Sequence, residues 1–222
     1  MPVITLSRQI GTGADQIANQ LCTDLGLIAF DKRLMLQVAS DLGVGEHEIV
    51  DYSEDQYKQR TFFEALFRRA RPVAEVTAWT GGRTGGYERE VRILDEAQAI
   101  NLVRASVVAA YERGNVLIIG RGSQAILEDR PGVLHVRLVA PFEKRVEALQ
   151  KRDSITAAQA RRLIADSDRA TEEYLRTFYQ LDVNDSTPYH LVLNTAKLGV
   201  DKAVALIKAA LQEVVAEASA AS

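Results

Sequence analysis

The chain has 222 residues, room for one domain with an inserted or appended segment, and 47% are apolar against 26% charged, the balance of a chain that can bury a full core. A net charge of −3 and a pI near 5.7 argue against a general binder of nucleic acid or of an acidic membrane surface, since such proteins carry a basic excess. The one cysteine, Cys22, excludes an internal disulfide and a cysteine metal cage; at helical spacing among Ile17, Ala18, Leu21 and Leu25 it reads as a core thiol.

Val3-Ile4-Thr5-Leu6 reads as a buried strand. No basic leader precedes it, and no apolar run in the chain nears the ~18 residues of a membrane span, so a cytoplasmic protein is expected. A glycine turn, Gly11-Thr12-Gly13, opens a helix over Asp15 to Leu25. Leu27 to Phe30 forms a short second strand, ending at Asp31, with a helix from about Lys32 to Leu42. Between Gly43 and Arg113 the pattern shows helical segments and no convincing strand. Four glycines within 81–86 make the stretch Trp79 to Tyr87 a mobile loop, either a plain surface connection or a flap that closes over substrate. Val116 to Ile119, Leu134 to Val139 and His190 to Leu193 are the third, fourth and fifth strands. A long helical stretch, Thr156 to Tyr179, separates the last two, and an Ala/Ser-rich tail after Val215 is expected to fray.

Continuous apolar runs, rather than alternation, mark strands covered on both faces. Five of them interleaved with helices predict an α/β fold, a doubly wound five-stranded parallel sheet with helical substrate-binding and lid segments. The expected layout is one domain: a core of 1–42, 104–150 and 188–216, a substrate-binding insertion over about 43–103, and a lid over about 151–187.

Strand, glycine turn and helix together place backbone N–H groups and a helix N-terminus around a phosphate. Laid on the pattern G-x-x-x-x-G-K-[ST], the turn keeps only the second glycine, as Gly13. Arg8 stands at the first glycine, Ala14 at the lysine and Asp15 at the Ser/Thr that holds magnesium. The donor-phosphate candidates are therefore Gly11, Thr12, Gly13, Ala14, Asp15 and Gln16. Asp15 has three readings: a magnesium ligand, a cap on the helix, or a charge that repels the nucleotide. The missing lysine costs a charge-assisted hydrogen bond of ~1.5–3 kcal/mol, and Arg8 is the nearest arginine to replace it.

Arg121 follows four apolar residues and lies between two glycines at the carboxyl end of a central strand, where its planar fork suits a phosphate; a structural ion pair is the other reading. Between Glu143 and Arg176 eight basic residues stand against seven acidic ones, so no basic patch exists there. Arg162, Asp166, Arg169, Glu173 and Arg176 share one helical stripe, either a solvated ion-paired face or a lid that swings arginines onto phosphates. His47, His135 and His190 show no metal-ligand spacing and are read as separate, with no zinc site expected.

Several landmarks in order resemble the cytidylate kinase-like family, within the P-loop nucleoside monophosphate kinases: Ile4-Thr5-Leu6-Ser7-Arg8-Gln9-Ile10-Gly11-Thr12-Gly13, Phe30-Asp31-Lys32-Arg33-Leu34-Met35, Ile118-Ile119-Gly120-Arg121-Gly122, Asp168-Arg169-Ala170, and Tyr189 to Thr195. The resemblance spans roughly residues 2–208 and is weak between about Gly43 and Arg104. It implies ATP with Mg²⁺ as donor. It further implies an acceptor monophosphate held by Asp31, Arg33 and Arg121, lid arginines Arg145, Arg162 and Arg169, and an adenine-wrapping loop beginning at Asn194-Thr195. Asp15 departs from the small or basic residue these relatives often carry. Three functions remain open: a nucleoside monophosphate kinase, with cytidylate as the implied acceptor; a weak or inactive nucleotide-binding module that senses nucleotide or serves in an assembly; and a kinase of another small metabolite. Partners are expected to be nucleotides rather than a nucleic acid polymer or a membrane, with the oligomeric state open, a homodimer included.

Overall fold

The structure, a computed structural model, describes residues 1–30, 74–81, 87–94 and 96–220. In chain order the elements are β1 (Val3–Arg8), α1 (Ala14–Leu25), β2 (Ile28–Phe30), β3 (Ala74–Gly81), β4 (Tyr87–Leu94), α2 (Glu96–Arg113), β5 (Val116–Ile119), α3 (Ser123–Ile126), β6 (Val133–Val139), α4 (Phe142–Asp153), α5 (Ala157–Tyr179), β7 (Leu191–Asn194) and α6 (Thr195–Ala220). Contacts divide the chain into two compact units, Met1–Phe30 with Tyr111–Ser222, and Asp31–Ala110.

The first unit holds a five-stranded, all-parallel sheet in the order β2-β5-β1-β6-β7. From the central β1 the chain winds to one side for β2 and β5, then crosses to the other for β6 and β7. That is the doubly wound arrangement, and ligands collect where the winding reverses, at the carboxyl end of β1. Its strands are apolar because both faces are covered: Ile4, Leu6, Leu117, Leu134, Val136 and Leu138 are fully buried. Ile17 and Leu21 of α1 and Ala203, Val204, Ile207 and Leu211 of α6 complete this core. Cys22 packs at its edge, only partly buried, and that burial raises the thiol pKa.

α4 and α5 form a helical pair with a small core of Val146, Leu149, Ala160 and Ile164. α5 starts cleanly because Thr156 and Gln159 form a capping box, each side chain bonding the other's backbone N–H. α6 is two helical stretches joined at Gly199, whose φ of 74° and ψ of 174° no helix contains.

The second unit corrects the sequence reading. β3 and β4 pair antiparallel from Ala74↔Leu94 to Gly81↔Tyr87, so the glycine-rich stretch joins two strands of a hairpin. Val76, Thr77 and Thr80 carry the β signal in the first strand. The second hides it behind Glu88, Arg89, Glu90 and Arg92, residues that favour helices when read alone. The helix expected over Lys32 to Leu42 and the glycines within 82–86 lie outside the described residues. No helix of the described residues is long and apolar enough to cross a membrane.

Candidate active site

β1 delivers Arg8 to the carboxyl edge of the sheet, and the chain turns through Gly11 (φ 86°) and Gly13 (φ 73°) into α1. The turn is anchored at three points. Gln9 N–H donates to the Leu138 carbonyl (3.1 Å), the Gln9 amide oxygen accepts from Ala140 N–H (3.1 Å), and the Thr12 hydroxyl donates to the Gln9 carbonyl (2.8 Å). Thr12 is thus buried in holding the turn shut. A Cβ on Gly11 would stand 2.9 Å from the Arg145 carbonyl oxygen, so only glycine lets the turn rest against α4. Around Gly13 there is more room: the nearest atom to an added Cβ is a Val200 methyl at 3.7 Å.

Gly13 caps α1 in the left-handed conformation with no side-chain cap, and Gln16 and Ile17 N–H return to its carbonyl. The start of α1 therefore offers backbone donors and the positive end of the helix dipole, which suits a phosphate chain. Asn194 closes β7 with its amide oxygen buried and without a hydrogen-bond partner among the described residues, and Thr195 donates to the Val139 carbonyl at 3.5 Å. The segment from Asn194 to Val200 thus runs from the end of β7 to the glycine turn.

The charges at the turn are already engaged. Arg8 forms an ion pair and hydrogen bond with Asp15, and the exposed Asp15 carboxylate also faces the Arg152 guanidinium at 3.6 Å. Arg152 in turn grips Asp153 with two hydrogen bonds of 2.7 and 2.8 Å and holds that carboxyl below the usual carboxylate range. A carboxylate facing two guanidiniums is a poor seat for Mg²⁺. Arg152 was missed in the sequence, although it lies seven residues after Arg145 on the same face of α4.

Among the lid candidates, Arg145 is buried and donates both forks to Asp168 of α5 (2.8 and 2.7 Å), while its Nε has no hydrogen-bond partner among the described residues. It ties α4 to α5. Arg162 and Arg169 are exposed and both lean on Asp166, at 3.8 and 2.9 Å, so the stripe is ion-paired as it stands.

Arg121 stands at the end of β5, beside β1, with its guanidinium 5.0 Å over the Phe30 ring centroid at the end of β2. Gly120, Arg121 and Gly122 have φ of 68°, 64° and 67°. For a side chain other than glycine's that left-handed backbone costs about 1–2 kcal/mol. Asp31 and Arg33 lie outside the described residues.

Two of the histidines, His135 and His190, are not separate. Parallel pairing of Val136 with Leu191 brings His135 and His190 side by side, stacked with centroids 5.3 Å apart. His190 Nδ1 accepts from His135 N–H (2.9 Å), and His135 Nδ1 meets the Thr5 hydroxyl (2.7 Å). Burial, reinforced by His190 and opposed by a bond to the Leu127 carbonyl, pushes the His135 imidazole down to about 4. His135 lies on β6 and His190 just before β7, away from the glycine turn. His47 lies outside the described residues.

A model of the cytidylate kinase-like family matches residues 3–197. Cytidylate kinases of Thermococcus sibiricus and Pyrococcus horikoshii are each 31% identical, over 115 and 104 residues, covering 52% and 47% of this chain and 58% and 53% of theirs. A uronate isomerase of Corynebacterium glutamicum is 30% identical over 121 residues, 51% of this chain but only 23% of that protein. The chain thus spans little more than half the length of the kinases it matches. Of solved structures, an uncharacterized protein from Eubacterium ventriosum aligns with a TM-score of 0.63 at 17% identity, covering 96% of this chain and 98% of that one. A gluconokinase from Sinorhizobium meliloti aligns at 0.52 and 10% identity, covering 97% of both chains. At those identities the two structures support the fold alone.

Proposed function

Because the chain belongs to the cytidylate kinase-like family, we propose that it is a cytoplasmic kinase that transfers a phosphoryl group from ATP to a nucleoside monophosphate, with cytidylate the first acceptor to test. The observation that supports this best is the uncapped N-terminus of α1, reached through two left-handed glycines at the carboxyl end of the central strand, with Arg8 and Arg121 on adjacent strand ends.

In this reading the backbone from Gly11 to Gln16 receives the donor phosphates, and Arg8, with Arg152 beside it, supplies the positive charge that lysine usually provides. Arg121 holds the acceptor phosphate with its planar fork; Asp31 and Arg33, the other acceptor candidates, lie outside the described residues. Asn194 and Thr195 border the base. Arg145 fixes α5 to α4 through Asp168, and Arg162 and Arg169 turn from Asp166 toward the phosphates when the lid, about 151–187, closes. Bound ATP supplies the phosphoryl group, and Mg²⁺ arriving with it would supply charge. The chain's own task is positioning and electrostatic stabilisation, the main demands of phosphoryl transfer. No side-chain base is required, because the attacking oxygen belongs to an ionised phosphate.

A second reading has its own observation: Asp15 occupies Arg8, as befits a module that binds nucleotide weakly and turns over little. Gly13→Val tests the shared premise. Wild type at ATP near 100 times Kd should gain ~2.7 kcal/mol of stability, and the variant should lose that gain while remaining folded. An undiminished gain in the folded variant would put the nucleotide elsewhere.

A further inference from the structure

Arg121 keeps a backbone conformation that glycine adopts freely and arginine does not, flanked by two glycines in the same conformation. Such a residue persists only where its surroundings hold it. Backbone bonds from Gly120 N–H to the Leu6 carbonyl (3.1 Å) and from Ser123 N–H to the Gly120 carbonyl (3.2 Å) do part of this, and the Arg121 carbonyl adds a side-chain hold. The Tyr174 hydroxyl lies 3.2 Å and the Tyr179 hydroxyl 3.4 Å from Arg121 O, and the two hydroxyls are 3.3 Å apart. Each phenol has one proton. Both hydroxyls are placed to donate to the carbonyl, directly or, for one of them, through the other.

The fit extends beyond hydroxyls. Gly122 leaves open the space that the Tyr179 ring fills: an added Cβ there would stand 2.6 Å from the ring Cζ. Tyr174 is buried and meets the Tyr179 ring edge-on at 5.6 Å. Tyr179 is the last residue of α5, and Gln180 N–H closes that end onto the Arg176 and Leu175 carbonyls, so a capped helix terminus carries the pair. Ring packing alone would be served by phenylalanine. The two oxygens point to a polar task, because a hydroxyl at a partly buried site needs a partner.

We propose that Tyr174 and Tyr179 are positioning residues for Arg121: their hydroxyls hold its carbonyl, keep the Gly120–Gly122 turn left-handed, and so aim the guanidinium over Phe30 toward the acceptor phosphate. The direction of the Cα–Cβ bond depends on the backbone state, so a turn that relaxes to another conformation re-aims the side chain without touching its charge. Because both tyrosines belong to the helix that carries Arg162 and Arg169, the position of α5 and the aim of Arg121 are coupled. The inference rests on the reading of Arg121 as the acceptor-phosphate residue, and the test separates the two.

The test is a double-mutant cycle between Arg121→Ala and the pair Tyr174→Phe/Tyr179→Phe, which keeps both rings. The readouts are the calorimetric Kd of the best-bound of the four nucleoside monophosphates without ATP, the Kd of ATP alone, and Tm. The phenylalanine pair should weaken monophosphate binding ~10-fold, as expected for a misaimed charge-assisted bond, and leave ATP affinity near wild type. In the Arg121→Ala background the same pair should change monophosphate affinity by less than ~2-fold. Equal losses in both backgrounds, or no loss in wild type, would overturn the positioning role while sparing that of Arg121. If Arg121→Ala itself binds monophosphate normally, or wild type binds none of the four, the acceptor reading falls and the positioning role with it. Should the double variant fail to fold, Tyr179→Phe alone carries the same cycle with the same criteria.

Discussion

Replacing Asp15 by asparagine removes one negative charge from the mouth of the glycine turn and nearly preserves its shape. In the structure that carboxylate is exposed, pairs with Arg8 and faces Arg152 at 3.6 Å, so it competes with a phosphate for the same guanidiniums. Asp15 is the second residue of α1, which puts its charge ~5 Å from a phosphate on the first-turn N–H groups. At that separation two unit charges repel by ~1 kcal/mol in water and ~3 kcal/mol at an effective dielectric of 20, and the exposure of Asp15 favours the lower figure. Freeing Arg8 from an exposed pair costs at most ~1 kcal/mol. The net expectation is a gain of ~1–2 kcal/mol, or roughly 5- to 30-fold tighter ATP binding. Loss of a carboxylate from the positive end of α1 should at the same time lower stability by ~0.3–1 kcal/mol. Titration calorimetry with ATP, with and without Mg²⁺ and at two salt concentrations, reads the binding gain, which should shrink at higher salt, and a urea melt reads the stability loss. In an Arg8→Ala background Asp15→Asn should help less, because part of the gain comes from releasing Arg8. Unchanged affinity would refute the competition argument. Weaker binding of ATP–Mg²⁺ alone, with Mg²⁺-free ATP unaffected, would make Asp15 a metal ligand instead.

Arg145→Ala should destabilise the fold by ~2–4 kcal/mol, because it breaks a bidentate, largely buried pair with Asp168, whereas Arg169→Ala should stay within ~0.5 kcal/mol; urea melts of the two variants side by side check this. The His135 imidazole, held near 4 in the fold against an ordinary 6.5, binds its proton more readily when unfolded. Its contribution is therefore fully present above about pH 6.5 and is lost as pH falls toward 4, at most ~3 kcal/mol in all, and His135→Gln should flatten that part of a stability-against-pH curve.

The sheet could be read from the sequence because burial on both faces writes itself as unbroken apolar runs such as Val116 to Ile119, and the glycine turn because Gly11 and Gly13 take positive φ. The capping box at Thr156 and Gln159 is equally local. Whatever depended on long-range register stayed hidden. Nothing near His135 announces His190, 55 residues on, until β6 and β7 pair. Likewise the sequence places Arg145, Arg162 and Arg169 in one class, and only the α4–α5 packing separates a buried structural pair from two exposed ones. The hairpin of β3 and β4 was missed because strand pairing overrode the helical preference of Glu88, Glu90 and Arg92.

The central claim, that this chain moves a phosphoryl group from ATP to a nucleoside monophosphate, is tested most directly by following product formation. Purified protein with ATP, Mg²⁺ and each of the four monophosphates in turn is sampled over time, and nucleotides are separated by anion exchange. The account predicts ADP and a nucleoside diphosphate appearing in equal amounts, with cytidylate the favoured acceptor, and at least a tenfold loss in kcat/KM with Arg121→Ala, corresponding to ~1.4 kcal/mol of transition-state stabilisation. ATP bound with normal thermal stabilisation but no diphosphate formed from any acceptor would contradict it and leave a nucleotide-binding module in its place.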